Sequence, residues 1–169
     1  MVKFEKKQQK RQMIIVQNIL KNYKLLHTKE GRIMNILFYL TPKSEVLHLF
    51  DDYSVRQAME KMEYHKYSAV PIISRNGTYV GTLTEGDILW ELKRRQTVDL
   101  KTIEELKIRT LKRKRDNEPV NVNCNIEDLV MTAMNQNFVP VIDDNGIFIG
   151  IVTRKSIIEY CYKLGKGAS

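Results

Sequence analysis

Two short motifs pair a threonine with a second polar residue three positions later, where a strand is predicted to run into a helix. The first is Thr84-Glu85-Gly86-Asp87, and the second, at numbers higher by 69, is Thr153-Arg154-Lys155-Ser156. A helix N-terminus carries free N–H donors and the positive end of the helix dipole, which suit phosphate. An aspartate one turn into the helix can accept hydrogen bonds from both hydroxyls of a ribose. The first motif therefore has the chemistry to bind a nucleotide.

The same spacing also has a purely structural interpretation. A threonine followed three residues later by an acidic residue forms a capping box, in which each side chain satisfies a free backbone N–H of the helix start. Gly86 would keep the approach to the motif clear of side chains, as a ligand site requires. Both interpretations of Thr84 and Asp87 stay open at the level of sequence.

Other chemistries have little support. The three histidines lack a paired cysteine or carboxylate at metal-ligand spacing, so no metal site is expected. We find no glycine-rich phosphate loop of the GxxxxGK[ST] type and no recognisable nucleophile setting. Cys124 and Cys161 have no CxxC spacing and are expected to be reduced cytosolic thiols. The sequence thus predicts a binding protein without a cofactor rather than an enzyme.

The strands and turns that would position the motifs occur twice. The first copy has a β-branched strand over 69–74, a turn at Gly77 and a returning strand over 79–84. The second copy repeats these features over 138–142, at Gly146 and over 147–153, and its turn glycine and final threonine lie 69 positions after Gly77 and Thr84. A unit of roughly 60 residues hides only about 60% of its unfolded surface, so the two copies are expected to pack together and enclose a cleft.

Each hairpin is flanked by further predicted elements, which gives the order β-α-β-β-α twice and an α/β (α+β) fold. A strand-like run over 45–50 and a helix capped by Ser54 come before the first hairpin, and a helix over 85–95 follows it. In the second copy the corresponding elements are a strand over 120–122 and helices over 126–135 and about 154–164. The predicted division is a basic extension (1–33), a first repeat (34–95), a charged connector (96–119), a second repeat (120–164) and a tail (165–169).

The net charge of +8 is concentrated at the N-terminus. Residues 1–33 hold nine basic and two acidic residues, and a basic amphipathic helix is predicted from about 11 to 26. Such an arm could touch nucleic acid or an anionic membrane surface, or be a solvated leader with no partner. Met34 would serve as a chain start, so the standing of residues 1–33 stays open. No apolar run approaches the roughly 20 residues of a membrane span and no signal-peptide pattern is found, so a cytoplasmic location is expected.

The paired Ala-Val-Pro and Gly-x-x-Thr-x-x-Asp elements, set in two β-α-β-β-α copies, resemble CBS domains arranged as a tandem Bateman module. The resemblance covers about residues 40–164. It implies that the two copies pack through their sheets about a pseudo-two-fold axis and leave two clefts. It also implies adenine-containing ligands, such as AMP, ADP, ATP or cyclic di-AMP, in those clefts.

Carried over by position, the resemblance implies that each cleft combines the threonine motif of one copy with the adenine-lining segment of the other. For the first cleft it implies Thr84 and Asp87 as ribose and phosphate ligands, and a base pocket formed by Val120, Asn121, Phe138 and Val139. For the second cleft it implies Lys43, Val46, Tyr67, Ser68, Ala69, Thr153, Arg154 and Ser156.

The second motif departs from the family pattern, because Ser156 stands where the ribose-binding aspartate is expected. A hydroxyl cannot act as a charged acceptor for two ribose hydroxyls. Arg154 and Lys155 bring positive charge instead, to which Lys43 adds, and arginine is well shaped for bidentate phosphate contacts. This cleft is similar to that of small stand-alone CBS proteins that bind cyclic di-AMP. A merely basic helix face stays open for Lys155.

The predicted function is therefore a non-catalytic sensor of adenine nucleotides in a bacterial cytoplasm, forming a homodimer and signalling to a protein partner. Trp90 is expected to be a packing or dimer-face residue. One alternative is a nucleic-acid-associated regulator that uses residues 1–33 and the basic run 112–115. Another is a structural dimerisation module with empty clefts.

Overall fold

The computed structural model describes residues 36–96 and 99–166, and these contain both predicted repeats. After a 3-10 turn (Ile36–Tyr39) come, in order, β1 (Thr41–Pro42), a 3-10 turn (Lys43–Glu45), β2 (Leu49–Phe50), α1 (Val55–His65), β3 (Ala69–Ile73), β4 (Tyr79–Thr84) and α2 (Glu85–Arg95). The connector contains α3 (Leu100–Glu105) and a 3-10 turn (Ile108–Thr110). The second repeat consists of β5 (Val120–Asn121), α4 (Ile126–Ala133), β6 (Phe138–Ile142), β7 (Phe148–Thr153) and α5 (Arg154–Lys166). The predicted order β-α-β-β-α is confirmed in both copies.

The helices that follow loops or strands begin at polar residues that satisfy the N–H groups of the first turn. Before α1, Ser54 and Gln57 form a reciprocal capping box. Before α4, Asn125 Oδ1 accepts a bond from the Asp128 N–H at 2.8 Å. These caps explain why the predicted helix starts agree with the structure.

Each repeat builds its own small sheet. In the first, β2 lies parallel to β3, and β3 pairs antiparallel with β4, Ala69 standing opposite Thr84. In the second, β5 is parallel to β6 and β6 antiparallel to β7, Phe138 standing opposite Thr153. Because the numbers of Ala69 and Phe138 differ by 69, as do those of the two threonines, each motif begins at the end of the second strand of its hairpin, in equivalent places.

The segment that leads into the first repeat belongs to the sheet of the second. Strand β1 pairs antiparallel with β7, with Thr41 opposite Ile151 and Pro42 opposite Gly150. Residues 43–45 then form a 3-10 turn, so the strand predicted over 45–50 is reduced to Leu49–Phe50. Hydrogen bonds to β7 therefore tie the start of one repeat to the motif-bearing strand of the other.

The connector is not a purely polar link. Its apolar residues Ile103, Ile108 and Leu111 are buried with the first repeat's Leu49, Val55 and Leu83 in one core. Its backbone also pairs with the loop before α1, since the Ile108 N–H donates to the Tyr53 carbonyl at 2.9 Å. Much of the segment predicted as a charged connector therefore completes the first repeat.

The two repeats interlock through their hairpin turns. The Tyr79 N–H donates to the Gly146 carbonyl at 3.1 Å, and the Phe148 N–H donates to the Gly77 carbonyl at 2.9 Å. The two bonds are equivalent, because Tyr79 corresponds to Phe148 and Gly77 corresponds to Gly146 at the offset of 69. This equivalence is expected for a pseudo-two-fold axis between the turns. The rings of Tyr79 and Phe148 stack at 6.1 Å across this axis. This confirms the predicted packing of the copies.

The predicted N-terminal helix at 11–26 lies outside the described residues. Among those that are described, no helix combines the length and apolar character needed to cross a membrane.

Candidate functional site

The first motif forms a complete capping box at the start of α2. Thr84 Oγ1 accepts a bond from the Asp87 N–H at 3.1 Å, and Asp87 Oδ2 accepts bonds from the Thr84 N–H at 3.0 Å and the Thr84 hydroxyl at 2.7 Å. Asp87 is only 4% exposed. The capping interpretation of this pair is therefore confirmed, and one carboxylate oxygen is engaged within the motif.

Connector residues 112–117, the clasp segment, run past this motif. The Lys114 N–H donates to Asp87 Oδ1 at 3.0 Å, and the Thr82 N–H donates to Asp116 Oδ1 at 2.9 Å. The Tyr79 hydroxyl donates to the Asn117 carbonyl at 2.9 Å. Burial raises the pKa of Tyr79, which keeps this hydroxyl protonated as a donor.

The position of the clasp segment beside the first motif was not predicted, although the repeated sequence contained a signal for it. Leu49 pairs with Ile72 and Val120 pairs with Val141, so these segments correspond with an offset of 71. With that offset, Lys43 and Val46, which were predicted for the second cleft, correspond to Lys114 and Asn117 of the clasp segment.

The four residues predicted for the first base pocket lie in two places. Phe138 and Val139 are buried in β6, and the Phe138 carbonyl accepts a bond from Asn117 Nδ2 at 2.9 Å, beside the clasp segment. Val120 packs in the second core, whereas Asn121 Nδ2 donates to Asp144 Oδ1 at 2.8 Å in the second hairpin.

The second motif is built on hydroxyls. Thr153 Oγ1 accepts a bond from the Ser156 N–H at 3.1 Å and lies 2.7 Å from the Ser156 hydroxyl oxygen. Arg154 Nε donates to the Gln136 carbonyl at 3.0 Å, which orients the guanidinium group. Arg154 is half-buried and has no carboxylate partner within residues 36–96 and 99–166. This motif therefore holds a positioned, uncompensated cation.

The residues of the first repeat that were predicted for the second cleft lie near the sheet and the hairpin turn of the first repeat. Lys43 Nζ lies 3.3 Å from the point that a side chain on Gly77 would occupy. The Ser68 carbonyl accepts a bond from the Glu85 N–H at 3.1 Å, and Ala69 stands opposite Thr84. Tyr67 is half exposed and stacks on His65, while Val46 follows the 3-10 turn and is half-buried.

A separate apolar groove of about 680 Å³ lies between α1 and α2. Met59, Ile88, Leu89 and Leu92 contribute to its lining. Trp90, the only tryptophan of the chain, lies on α2, is 53% exposed and carries the Lys93 ammonium 5.3 Å above its ring. Trp90 is therefore not a packing residue of the chain's own core.

In the part of the chain that the structure describes, no group of three or more histidine, cysteine or acidic residues is arranged to hold a metal ion. Cys124 is half-buried, and burial raises the pKa of its thiol, which disfavours the nucleophilic thiolate.

Solved structures resemble this chain over most of its length. A crystal structure of CbpB in complex with c-di-AMP is 25% identical, with a TM-score of 0.73, and the match covers 89% of this chain and 96% of that chain. The CBS domain protein of Streptococcus pneumoniae TIGR4 is also 25% identical, with a TM-score of 0.71 and the same coverage, 89% and 96%.

A curated relative is an enzyme by name. The L-aspartate semialdehyde sulfurtransferase of Methanocaldococcus jannaschii is 30% identical over 104 residues, which is 62% of this chain. The chain spans only 19% of the length of that protein.

The CBS domain family model matches residues 39–94 and 113–163. These two regions together make up more than half of the chain, and each contains one of the two interlocked repeats. The chain therefore belongs to the CBS domain family.

Proposed function

We propose that the chain is a non-catalytic regulatory module that senses adenine nucleotides between its two repeats, in the cytoplasm. The observation that carries the proposal is the second motif, where a positioned arginine stands beside a helix N-terminus. Arg154 is held by the Gln136 carbonyl and has no ion-pair partner among the described residues. A half-buried, uncompensated guanidinium group favours an anionic ligand.

The N-terminus of α5 strengthens this preference. Its first turn contains no acidic residue, so the positive end of the helix dipole is not offset there. Thr153 and Ser156 add two hydroxyls that can hydrogen-bond to phosphate or ribose oxygens. A ligand with several phosphate oxygens suits this set better than a neutral nucleoside.

Similarity to the CbpB complex supports cyclic di-AMP as the first ligand to test. That complex contains c-di-AMP and matches 89% of this chain. Arg154, Thr153 and Ser156 would contact phosphate and ribose groups. The opposite side of the cleft would be formed by these residues of the first repeat: Lys43, Val46, Tyr67, Ser68 and Ala69.

Signalling would follow from a shift in population. A ligand that spans both repeats favours the arrangement of repeats or subunits for which it has the higher affinity. A homodimer is part of this proposal, because Leu89 on α2 is 60% exposed and its repeat equivalent Ile158 on α5 is also 60% exposed. A protein partner would then recognise the ligand-dependent state of the dimer.

Thermal shift measurements with AMP, ADP, ATP and cyclic di-AMP test the proposal. A ligand at about 100 times its Kd stabilises the folded state by about 2.7 kcal/mol. For a chain of this size that corresponds to a rise in Tm of about 5 to 10 °C. We expect such a rise with at least one nucleotide, and a much smaller one for Arg154→Ala.

Lys101→Ala is the matched control, since it removes one exposed positive charge from α3, in the connector. It should leave the rise in Tm unchanged. If none of the four nucleotides raises Tm, the sensing function is wrong. The exposed apolar helix faces would then favour a structural dimerisation module.

A further inference from the structure

The clasp segment is fastened to the first repeat along most of its length. Three of its residues, Lys114, Asp116 and Asn117, form the hydrogen bonds to Asp87, Thr82 and Tyr79 described above. Asn117 Nδ2 also donates to the Phe138 carbonyl of the second repeat. The segment is thus held at consecutive points between the two repeats.

Both carboxylate oxygens of Asp87 are engaged by these contacts. Its Oδ2 accepts two bonds from Thr84, and its Oδ1 accepts the bond from the Lys114 N–H. Two hydroxyls of a ribose would need both oxygens, yet the residue is 4% exposed. A ribose could reach this carboxylate only after the clasp segment had moved away.

The absence of a side chain at Gly81 lets Asp116 of the clasp segment approach β4 closely. A side-chain carbon on Gly81 would lie 2.3 Å from Asp116 Oδ1, and the φ of Gly81 is +154°. Asp116 is held in turn by Arg113, whose Nε donates to its Oδ1 at 2.7 Å. Gly81 is therefore required for this approach.

The net charges of the two motifs, and of the segments that correspond to each other in the two repeats, also differ. The first motif contains Glu85 and Asp87, and the clasp segment facing it contains four basic residues and one acidic residue. The second motif contains Arg154 and Lys155, whereas the corresponding segment 41–46 contains one basic and one acidic residue. Only the first motif meets a segment of opposite net charge from its own chain.

We propose that the first cleft is closed by the clasp segment, with Asp87 as the residue that positions it, and that the chain binds nucleotide at the second cleft alone. The closure by the clasp segment does not depend on any ligand. The binding of nucleotide at the second cleft alone rests on the proposed function.

Hydrogen exchange of the full chain, followed by mass spectrometry, tests the closure without any ligand. In the wild type, the Lys114 amide, which donates to Asp87 Oδ1, should exchange at least tenfold more slowly than in an unstructured chain, so peptides that contain residues 112–117 should retain this protected amide. Asp87→Ala should abolish most of this protection, whereas the matched variant Ser156→Ala should leave it in place. Asp116→Ala, at an exposed position, should give a smaller loss in the same peptides even if Asp87→Ala folds poorly.

Unprotected peptides over 112–117 in the wild type, or protection that survives both substitutions, would overturn the closure. The same experiment with saturating cyclic di-AMP tests the second half. We expect slower exchange over 150–157 and no further change over 84–90 or 112–117.

Slower exchange over 84–90 that depends on Asp87 would place a nucleotide in the first cleft and contradict the proposal. If neither cyclic di-AMP nor AMP slows exchange anywhere, the proposal that nucleotide binds at the second cleft alone fails together with the proposed function. The result for Asp87→Ala without ligand would still decide the closure by itself.

Discussion

The two threonine motifs occupy equivalent places in an interlocked pair of repeats, yet they differ in chemistry. In the first, a buried carboxylate accepts bonds from its own motif and from the clasp segment. In the second, a pair of hydroxyls stands beside an arginine that has no carboxylate partner among the described residues. The comparison teaches that the backbone of the two repeats is alike, whereas three differences within a four-residue motif replace a buried, hydrogen-bonded carboxylate with hydroxyls and an arginine.

The largest effects are expected at two glycines that a neighbouring segment approaches closely, Gly150 in β7 and Gly81 in β4. A side-chain carbon on Gly150 would lie 2.2 Å from the Thr41 carbonyl oxygen, whereas on Gly81 it would meet the side chain of Asp116. Gly150→Ala should lower the free energy of unfolding by about 3 kcal/mol, because β1 must move away from β7. Gly81→Ala should cost about 2 kcal/mol, since the Asp116 side chain can turn aside. Urea denaturation measures both, and equal losses would contradict the difference.

The motifs themselves should differ in the same direction. Asp87→Ala removes a buried acceptor of three hydrogen bonds and leaves the Lys114 N–H unsatisfied, at a cost of about 2 kcal/mol. Ser156→Ala removes a hydroxyl from a half-buried site and should cost about 0.5 kcal/mol. Chemical denaturation of the two variants gives the values. A larger loss for Ser156→Ala would mean that the second motif is the structural one.

Tyr79 and Phe148 are repeat equivalents, but only Tyr79 has a hydroxyl, which donates to the clasp segment. Tyr79→Phe should cost about 1 kcal/mol through the lost hydrogen bond. Burial raises the pKa of folded Tyr79 above the unfolded value of about 10. The stabilisation is therefore complete below about pH 10 and is lost as the pH rises further, because the unfolded chain ionises first.

Unfolding free energies of wild type and Tyr79→Phe, measured at about pH 9 and about pH 11, check this sign. The difference between the two proteins should shrink at the higher pH. A difference that grows with pH would show that the folded protein ionises Tyr79 more readily than the unfolded chain.

The smallest effects are expected at the hairpin turns. In the first, Arg75 pairs with Asp52 at 2.9 Å and lies 4.1 Å from the Phe50 ring centre. Arg75→Ala should lower the stability only slightly, because exposed ion pairs and cation–π contacts contribute little. Asn121→Ala, which removes the contact with Asp144 in the second turn, should cost a similar amount. Thermal denaturation in low and high salt should show a salt-sensitive loss for Arg75→Ala only.

Much of the fold could be predicted because its signals are local. The caps at Ser54 and Thr84 marked helix starts, and Gly77 and Gly146, with φ values of +91° and +76°, marked the hairpin turns. The constant offset between the numbers of equivalent positions then predicted the pairing of the copies.

What could not be predicted depends on contacts that leave little trace in local sequence. Strand β1 has two residues, too few to show a period, and it pairs with a strand more than 100 positions away. The buried residues Ile103, Ile108 and Leu111 are scattered among charges and were therefore interpreted as a polar connector. The bond from Lys114 to Asp87 uses a backbone N–H, which every residue except proline possesses.

The most direct test of the account is a calorimetric titration of the full chain with cyclic di-AMP. We predict one nucleotide bound per chain, with an affinity that Arg154→Ala reduces at least tenfold and Lys101→Ala leaves unchanged. Two nucleotides per chain, or binding that survives the loss of Arg154, would contradict a single ligand site at the second cleft.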